Sequence, residues 1–399
     1  MKILVIYTNP NVVLKDTGTK ARLVKLFKLF SNKNNLIFLS PLTEQNKSAN
    51  VNIMSTYQFR QLSIFKNYLA VFTDFNFDYI IKIRRIIKKE KIDFIFITLP
   101  YGVISASFFC RNVPIIYGAE FVIRGTSPKL VSMHFINTFN ILKNNFIGSA
   151  IGRIVGSIFS KYLIILEQLA CNRSSHIIAI SESDKQKLIK HYNIEKNKIT
   201  VIPHCMSLTE LNNFALEREE TIANNIITVV FHGSYKDHPV NYKAFMQIID
   251  YIAPEVEKYN RNIKFLLAGT DAPVFERRNI KSLGFVEDIP NLLKHSDIAI
   301  VPFNGGSGIK IKIFDYMAAG LPIISTKNGI EGINLQNGKH AIIIDTVNQK
   351  FIDAILDLAR DNNKRDIIGR NALDLVRTRY SEECVQAEIN KMLVKLKGN

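Results

Sequence analysis

Tryptophan is absent from the 399 residues, and only four cysteines occur: Cys110, Cys171, Cys205 and Cys384. None has the spacing of a metal knuckle or a disulfide framework, so a reducing cytoplasm is the expected setting. No run of about 18 uncharged apolar residues appears, and no transmembrane helix is expected. The start, MKILVIYTNP, lacks the basic segment and small-residue cleavage site of a secretory signal. There is no Asp-x-Asp for a metal–diphosphate clamp and no GxxxxGK[ST] loop. His134, His191, His232, His238, His295 and His340 show no metal spacing, and most read as surface or loop residues.

What is present is apolar sequence for two cores, 47% of the chain, and a lopsided charge. The net charge is +17; residues 1–205 hold 28 Lys+Arg against 11 Asp+Glu, while residues 206–399 hold 24 of each. The first half should therefore be drawn to an anionic partner. Six of its cations crowd into residues 81–91. Residues 151–166 set Ile151, Ile154, Val155, Ile158, Phe159 and Tyr162 on one helical face. Each helix alone reads as core-facing with a solvated polar side. The combined excess points to an anionic membrane surface. No nucleic-acid motif interleaves the charges, so no nucleic-acid partner is expected.

Short apolar runs alternate with helical patterns along the chain. Ile3–Tyr7, Leu36–Leu39, Asp93–Ile97, Val113–Tyr117, Ser175–Ile180 and Lys198–Pro203 read as strands. Leu23, Leu26, Phe27 and Phe30 mark a helix face between the first two. A polar stretch over 207–225 reads as a linker. The alternation restarts at Ile226–Phe231 and continues through a helix at about 240–258 and strands at 264–269, 298–302, 322–325 and 341–344. Continuous apolar strands alternating with helices predict parallel sheets covered on both faces. The expected class is α/β, with a first domain over 1–206, a second over 226–380, and a helix over 381–399 packing back on the first. Ligands of such sheets bind at the carboxyl ends of the strands.

One segment carries chemistry: FNGGSGIKIKIFDYMAAGLPIIST, residues 303–326. Gly305, Gly306, Ser307 and Gly308 leave a loop with almost no side chain between a strand and a helix expected to begin near Ile309. Glycine lets a ligand approach the backbone, and free N–H groups at a helix start favour an anion. Lys310 and Lys312 add positive charge, so phosphate is the natural ligand of the 305–309 loop. Asp315, eight residues after Ser307 and so about two turns on, could accept hydrogen bonds from a ribose diol. The plainer readings are a glycine turn capping an ordinary helix and a Lys312–Asp315 ion pair three residues apart.

At these residues the chain resembles the retaining nucleotide-sugar glycosyltransferases of family four (group 1), which have two Rossmann-like domains facing across a cleft, the GT-B arrangement. One branch of that family reads GSG.R.K..E.MA.G.P. Gly306-Ser307-Gly308, Lys310, Lys312, Asp315, Met317-Ala318-Ala319-Gly320 and Pro322 match it. Asp315 stands at the second Glu of the family pattern and Ser307 at the first. Phe231-His232-Gly233-Ser234 with Pro239 and Asn241 resembles the FxGS…PN entry to the second domain. Leu283–Asp288 resembles the GFVxD loop, which places Val286 at the nucleobase. Asn328–Gly332 resembles a following GAEG and implicates Glu331. In the first half, Glu167 with Ser175–Ser181 and Ile202–Cys205 match more loosely, and Gly18-Thr19 resembles an acceptor-side glycine loop. The family's first-domain histidine is replaced by Glu120, which inherits a catalytic expectation.

The resemblance implies a hexosyl- or N-acetylhexosaminyl-type transferase acting with retention, with no required metal and no cofactor. The sugar would move from a UDP- or GDP-sugar to a saccharide or lipid-linked saccharide in cell-surface polysaccharide or glycolipid synthesis. The donor set is Gly233, Ser234, Val286, Gly305, Gly306, Ser307, Gly308, Ile309, Asp315 and Glu331. Glu120, Lys310 and Lys312 are the catalytic candidates. The expected location is the cytoplasm, peripheral on the inner membrane face. A non-catalytic nucleotide-sugar-binding scaffold and a UDP-sugar epimerase of the same architecture are the alternatives.

Overall fold

The computed structural model describes residues 1–6, 18–41, 53–59, 77–98, 100–110, 112–120, 122–125, 146–214, 226–235, 238–306 and 308–398. Tyr7, His134, Ser307 and residues 215–225 of the expected linker lie outside them. The chain divides into two compact units, Met1–Pro203 with Gln386–Asn399, and His204–Val385.

The first unit is built on a seven-stranded sheet. Its strands are β1 (Lys2–Ile6), β2 (Asn35–Pro41), β3 (Ile53–Phe59), β4 (Phe94–Ile97), β5 (Ile115–Ala119), β6 (His176–Ala179) and β7 (Ile199–Val201). The order is β3-β2-β1-β4-β5-β6-β7, and every pairing is parallel. Residues 94–97 and 115–119 are buried throughout, as apolar strands covered on both faces must be. Helix α1 (Gly18–Ser31) buries Leu23, Leu26, Phe27 and Phe30, the face its spacing predicts. Phe27 meets Phe38 edge-on. Helix α2 (Phe77–Glu90) buries Tyr79, Ile83 and Ile86 and leaves Arg84, Arg85, Lys88 and Lys89 exposed.

Helix α3 (Phe146–Arg173) departs from expectation. Ile158 is 64% exposed. The buried stripe is Ser160, Leu163, Leu166, Glu167, Ala170 and Cys171, nearly opposite Ile158 on the helix. Of the expected face, Ile158 turns outward while Tyr162 packs in part on the Leu163 and Leu166 cluster; the side chains of Ile151, Ile154, Val155 and Phe159 lie outside the described residues.

The second unit has its own seven strands. They are β8 (Ile227–His232), β9 (Ile263–Ala268), β10 (Val274–Arg277), β11 (Ile280–Leu283), β12 (Ile298–Val301), β13 (Ile323–Thr326) and β14 (Ile342–Ile344). They run β10-β11-β9-β8-β12-β13-β14, parallel except for the β10–β11 hairpin. From β8 the chain first winds outward through β9 and β11, then returns to β12 on the other side. The switch point therefore lies between β8 and β12, where a ligand crevice forms at the carboxyl ends.

The expected helix at 240–258 is three pieces: Pro239–Gln247, a π-turn at Ile248–Ile252, and Ala253–Tyr259. Pro254 explains the break, because its ring and missing N–H do not fit a regular helix, and the wider turn before it relieves both. The expected linker begins with a helix, Leu208–Phe214. Its start is a capping box: Ser207 Oγ accepts from Glu210 N at 3.2 Å, and Glu210 Oε2 accepts from Ser207 N at 2.8 Å. The last helix, Glu382–Lys397, carries the chain into the first unit, where Asn32 Nδ2 donates to Gln386 Oε1 at 2.9 Å. Among the described residues, no helix is long and apolar enough to cross a membrane.

Candidate functional site

Three glycines meet at the ends of neighbouring strands in the second unit. Gly233 follows β8, Gly269 follows β9 and Gly284 follows β11. Gly233 N donates to Ala268 O at 3.0 Å, and Gly269 N donates to Gly284 O at 2.8 Å. A Cβ on Gly269 would lie 1.6 Å from the Gly233 carbonyl oxygen, so no side chain is possible there. Across the switch point, β12 runs into the glycine loop. Gly305, Gly306 and Gly308 have φ of +118°, +95° and +80°. A Cβ on Gly305 or Gly308 would meet nothing within 4 Å. Backbone conformation rather than crowding demands glycine at those two positions, and the space beside them stays open.

The helix after the loop begins at Lys312, not near Ile309. Residues 309–311 form a turn, with Ile313 N donating to Lys310 O at 3.0 Å and Phe314 N to Ile311 O at 2.9 Å. Asp315 consequently stands in the first turn of the helix. Ile313, Phe314 and Met317 are fully buried, and this apolar anchor fixes the direction of the lysines and Asp315.

Lys312 is the central charged group. It is 9% exposed. Its Nζ donates to Asn241 Oδ1 at 3.0 Å and lies 4.2 Å from the Phe231 ring centroid and 5.1 Å from that of Phe303. Asn241 in turn donates from Nδ2 to Ser234 O at 2.8 Å. A Cβ on Gly233 would come within 2.7 Å of Lys312 Nζ, so the glycine leaves room for the amine. Burial drives the lysine pKa down to about 7; the Asp315 carboxylate opposes this and Lys310 adds to it. The direct partner is Asn241, not the Asp315 ion pair that helical spacing suggested. Lys310 folds back so that its Nζ donates to Gly308 O at 2.7 Å.

Asp315 Oδ2 lies 3.7 Å from His232 Nε2. The His232 ring meets Tyr316 edge-on at 5.1 Å, and its backbone N donates to the Tyr316 hydroxyl at 3.1 Å. Burial, helped by Lys312, pushes the imidazole pKa down to about 3, so the ring is neutral. His232 is thus part of the site rather than a loop histidine. Phe231 and Asn241 were named only within the FxGS…PN match and not as site residues, and Phe303 and Tyr316 were given no role. For His232 and Asn241 the signal was available, because both lie inside the FxGS…PN match.

The remaining candidates are distributed as follows. Ile309 and Val286 are half-buried and pack on the second core. Glu331 is half-buried in the turn after β13, which Thr326 Oγ1 ties to Phe303 O at 2.6 Å. Gly18 and Thr19 open α1 in the first unit. Glu120 follows β5, its side chain 5% exposed, with Oε2 at 3.7 Å from Arg22 Nε. Burial raises its pKa, against the pull of Arg22. Arg22 Nη2 is itself held by Ile202 O at 2.8 Å. Behind Glu120, the turn Ile123–Gly125 is held by the buried Glu167, which accepts from Ile123 N at 2.8 Å and from the Tyr192 hydroxyl. No cluster of three or more His, Cys, Asp or Glu suited to a metal occurs among the described residues.

Residues 226–361 match the family model for glycosyl transferases group 1, and residues 48–210 match that for glycosyltransferase family 4. The capsular polysaccharide biosynthesis glycosyltransferase CapM of Staphylococcus aureus is 24% identical over 245 residues, 58% of this chain. That match spans 64% of CapM, less than two thirds of its length. Among solved structures, Anabaena HepE in complex with UDP-glucose has a TM-score of 0.65 at 16% identity, covering 99% of this chain and 100% of that one. The lipopolysaccharide outer core galactosyltransferase WaaB has a TM-score of 0.66 at 11% identity, covering 99% of each. At these identities the structures carry the fold, two doubly wound α/β domains of the GT-B class. With both halves matched in order, the chain belongs to the group 1 glycosyltransferases.

Proposed function

We propose that the protein transfers a sugar from a nucleoside-diphosphate sugar to an acceptor hydroxyl, with retention and without a metal. The carrying observation is Lys312: an ammonium buried against two aromatic rings, beside backbone left open by glycine, at the switch point of the second sheet. A diphosphate there would offset the desolvation that depresses the lysine pKa. It would also be stabilised as it leaves, the electrostatic contribution that dominates many such sites.

In this reading the 305–309 loop, Ser307 included, and Lys310 cradle the diphosphate with Lys312. Asp315 accepts from the ribose, Val286 borders the base, and Gly233, Ser234 and Glu331 complete the donor pocket. HepE was crystallised with UDP and UDP-glucose, which supports a UDP-sugar ahead of a GDP-sugar. The sugar is of hexosyl or N-acetylhexosaminyl type. Glu120 and the Gly18-Thr19 segment belong to the acceptor side.

The acceptor is a saccharide, in its lipid-linked form at the membrane surface, during cell-surface polysaccharide or glycolipid synthesis. The exposed cations of α2 support peripheral docking on anionic lipid at the inner face. CapM's place in capsular polysaccharide biosynthesis agrees with this setting. The test is incubation with a panel of UDP- and GDP-sugars plus lipid-linked saccharide, following nucleoside diphosphate release. Acceptor-dependent release with one donor is expected. Binding without any turnover would favour the scaffold reading, and conversion of the donor to an epimer would favour the epimerase.

A further inference from the structure

The family pattern has Glu where this chain has Asp315, one methylene shorter. A shorter carboxylate on the same helix reaches less far, so its orientation matters more. A neighbouring group placed to set that orientation is His232. Its Nε2 is buried, 3.7 Å from Asp315 Oδ2, and has no hydrogen-bond partner among the described residues. A buried polar nitrogen left unpaired is costly, so it should find an acceptor. The carboxylate is the acceptor it faces, and a movement of less than about 1 Å would bring the pair to the ~2.9 Å of an ordinary hydrogen bond. The ring itself is not free to swing. Its backbone N–H is held by the Tyr316 hydroxyl at 3.1 Å, and the two rings meet nearly at right angles, 5.1 Å between centroids. The movement therefore falls to the Asp315 side chain, which is 24% exposed.

We infer that His232 is a positioning residue that donates from Nε2 to Asp315 Oδ2 and turns the second carboxylate oxygen toward the ribose of the bound nucleotide. The inference rests on the nucleotide-sugar reading for its ligand, but not for the His232–Asp315 bond itself. The neutral imidazole fits the role. Lys312 and burial keep it unprotonated, so it carries one ring hydrogen, which the bond would fix on Nε2. A consequence follows for recognition. With one oxygen committed to His232, Asp315 can grip one ribose hydroxyl firmly rather than share both oxygens across the diol.

Two measurements decide it. The first needs no ligand: nitrogen-15 NMR of histidine-labelled protein, with His232 assigned by His232→Phe. The expected spectrum has His232 in the Nε2–H tautomer, moving when Asp315→Ala removes the acceptor. A hydrogen on Nδ1, or a signal indifferent to Asp315→Ala, overturns the bond. The second is calorimetric binding of UDP and GDP to wild type, His232→Phe, Asp315→Ala and the double variant. His232→Phe keeps the ring that packs on Tyr316 and should bind the preferred nucleotide about tenfold more weakly, the fold-change of ~1.4 kcal/mol. His232→Gln keeps an N–H donor and should recover affinity to within about threefold of wild type. The double variant should bind no more weakly than Asp315→Ala. Wild-type affinity in His232→Phe, or losses that simply add in the double variant, overturn the positioning role. If neither nucleotide binds wild-type protein, the nucleotide reading fails, while the tautomer measurement still decides the bond.

Discussion

Replacing Lys312 with methionine should stabilise the protein while weakening nucleotide binding, and pH should control the size of the gain. The lysine pKa falls from 10.5 to about 7 on folding. At ~1.4 kcal/mol per tenfold, holding the ammonium in its buried place costs about 5 kcal/mol relative to the unfolded chain. Because the folded pKa is the lower one, the cost is fully present below pH 7. It fades as pH rises from 7 to 10.5 and is gone above that. Lys312→Met removes the charge and keeps most of the stem packed on Phe231 and Phe303. The charge-specific part of the Asn241 bond and ring contacts is already contained in the pKa shift; the variant also loses the bond a neutral amine would keep to Asn241, worth ~1 kcal/mol, and leaves Asn241 Oδ1 without that donor.

The net expectation is a gain of about 2–4 kcal/mol at pH 6, which shrinks steadily and reverses by about pH 10.5. For the second unit this is a melting point roughly 5–10 °C higher at pH 6. The assay is paired thermal unfolding of wild type and variant across pH 6 to 10.5, in which other titrations cancel in the difference. A gap that does not change with pH, or a variant less stable than wild type at pH 6, would refute the reasoning. In the same preparations, nucleoside diphosphate affinity should fall by about ten- to hundredfold, since a charged hydrogen bond is worth ~1.5–3 kcal/mol.

Gly233→Ala places a methyl 2.7 Å from the Lys312 amine, which must move; about tenfold weaker nucleotide binding with an unchanged fold is expected by calorimetry and circular dichroism. Gly308→Val forces a branched residue to φ near +80° and fills the open side of the loop, so it should abolish diphosphate binding measured by equilibrium dialysis. Glu167, whose pKa burial lifts to about 7, is penalised when ionised: fully above pH 7, and less as pH falls to 4.5. The melting point of Glu167→Gln minus that of wild type should therefore decrease as pH drops from 7 to 4.5, and a constant difference would contradict the assignment. Arg84, Arg85, Lys88 and Lys89 exchanged for Glu should end co-sedimentation with anionic vesicles, at ~1 kcal/mol per cation, yet leave nucleotide binding intact; equal binding to neutral vesicles would remove the membrane from the account.

Most strands of both sheets could be read from the sequence because they are continuous apolar runs with helices between them; β3, β10 and β11 were missed, since IMSTYQF, VFER and IKSL are short or mixed with polar residues, and the antiparallel β10–β11 pairing was not expected. The glycine loop, both lysines and Asp315 stood out as candidates for a related reason: a bare loop between strand and helix has few uses. The errors came where local pattern competes with packing. The helix start near Ile309 was misplaced because the apolar spacing of Ile309, Ile313 and Phe314 continues back through a turn that positive-φ glycines interrupt. Ile158 was turned inward because α3 is apolar on several sides. The Ser207-x-x-Glu210 capping box was in plain view but sat inside a polar stretch read as linker. The Arg22–Glu120 and Lys312–Asn241 pairs were not legible, since each joins residues far apart in the chain that only the folded sheet brings together.

The central claim is that the second unit binds a nucleoside-diphosphate sugar at the glycine loop. Thermal unfolding with a saturating panel of UDP- and GDP-sugars tests it most directly, because a ligand of the folded state raises the melting point by mass action. At a hundred times Kd the stabilisation is about 2.7 kcal/mol, which for this unit means roughly 5–10 °C. The account predicts that one donor class raises the melting point of wild type by this much, and that the rise is largely lost in Asp315→Ala and Gly308→Val. No shift with any nucleotide sugar, or an equal shift in the two variants, would contradict it.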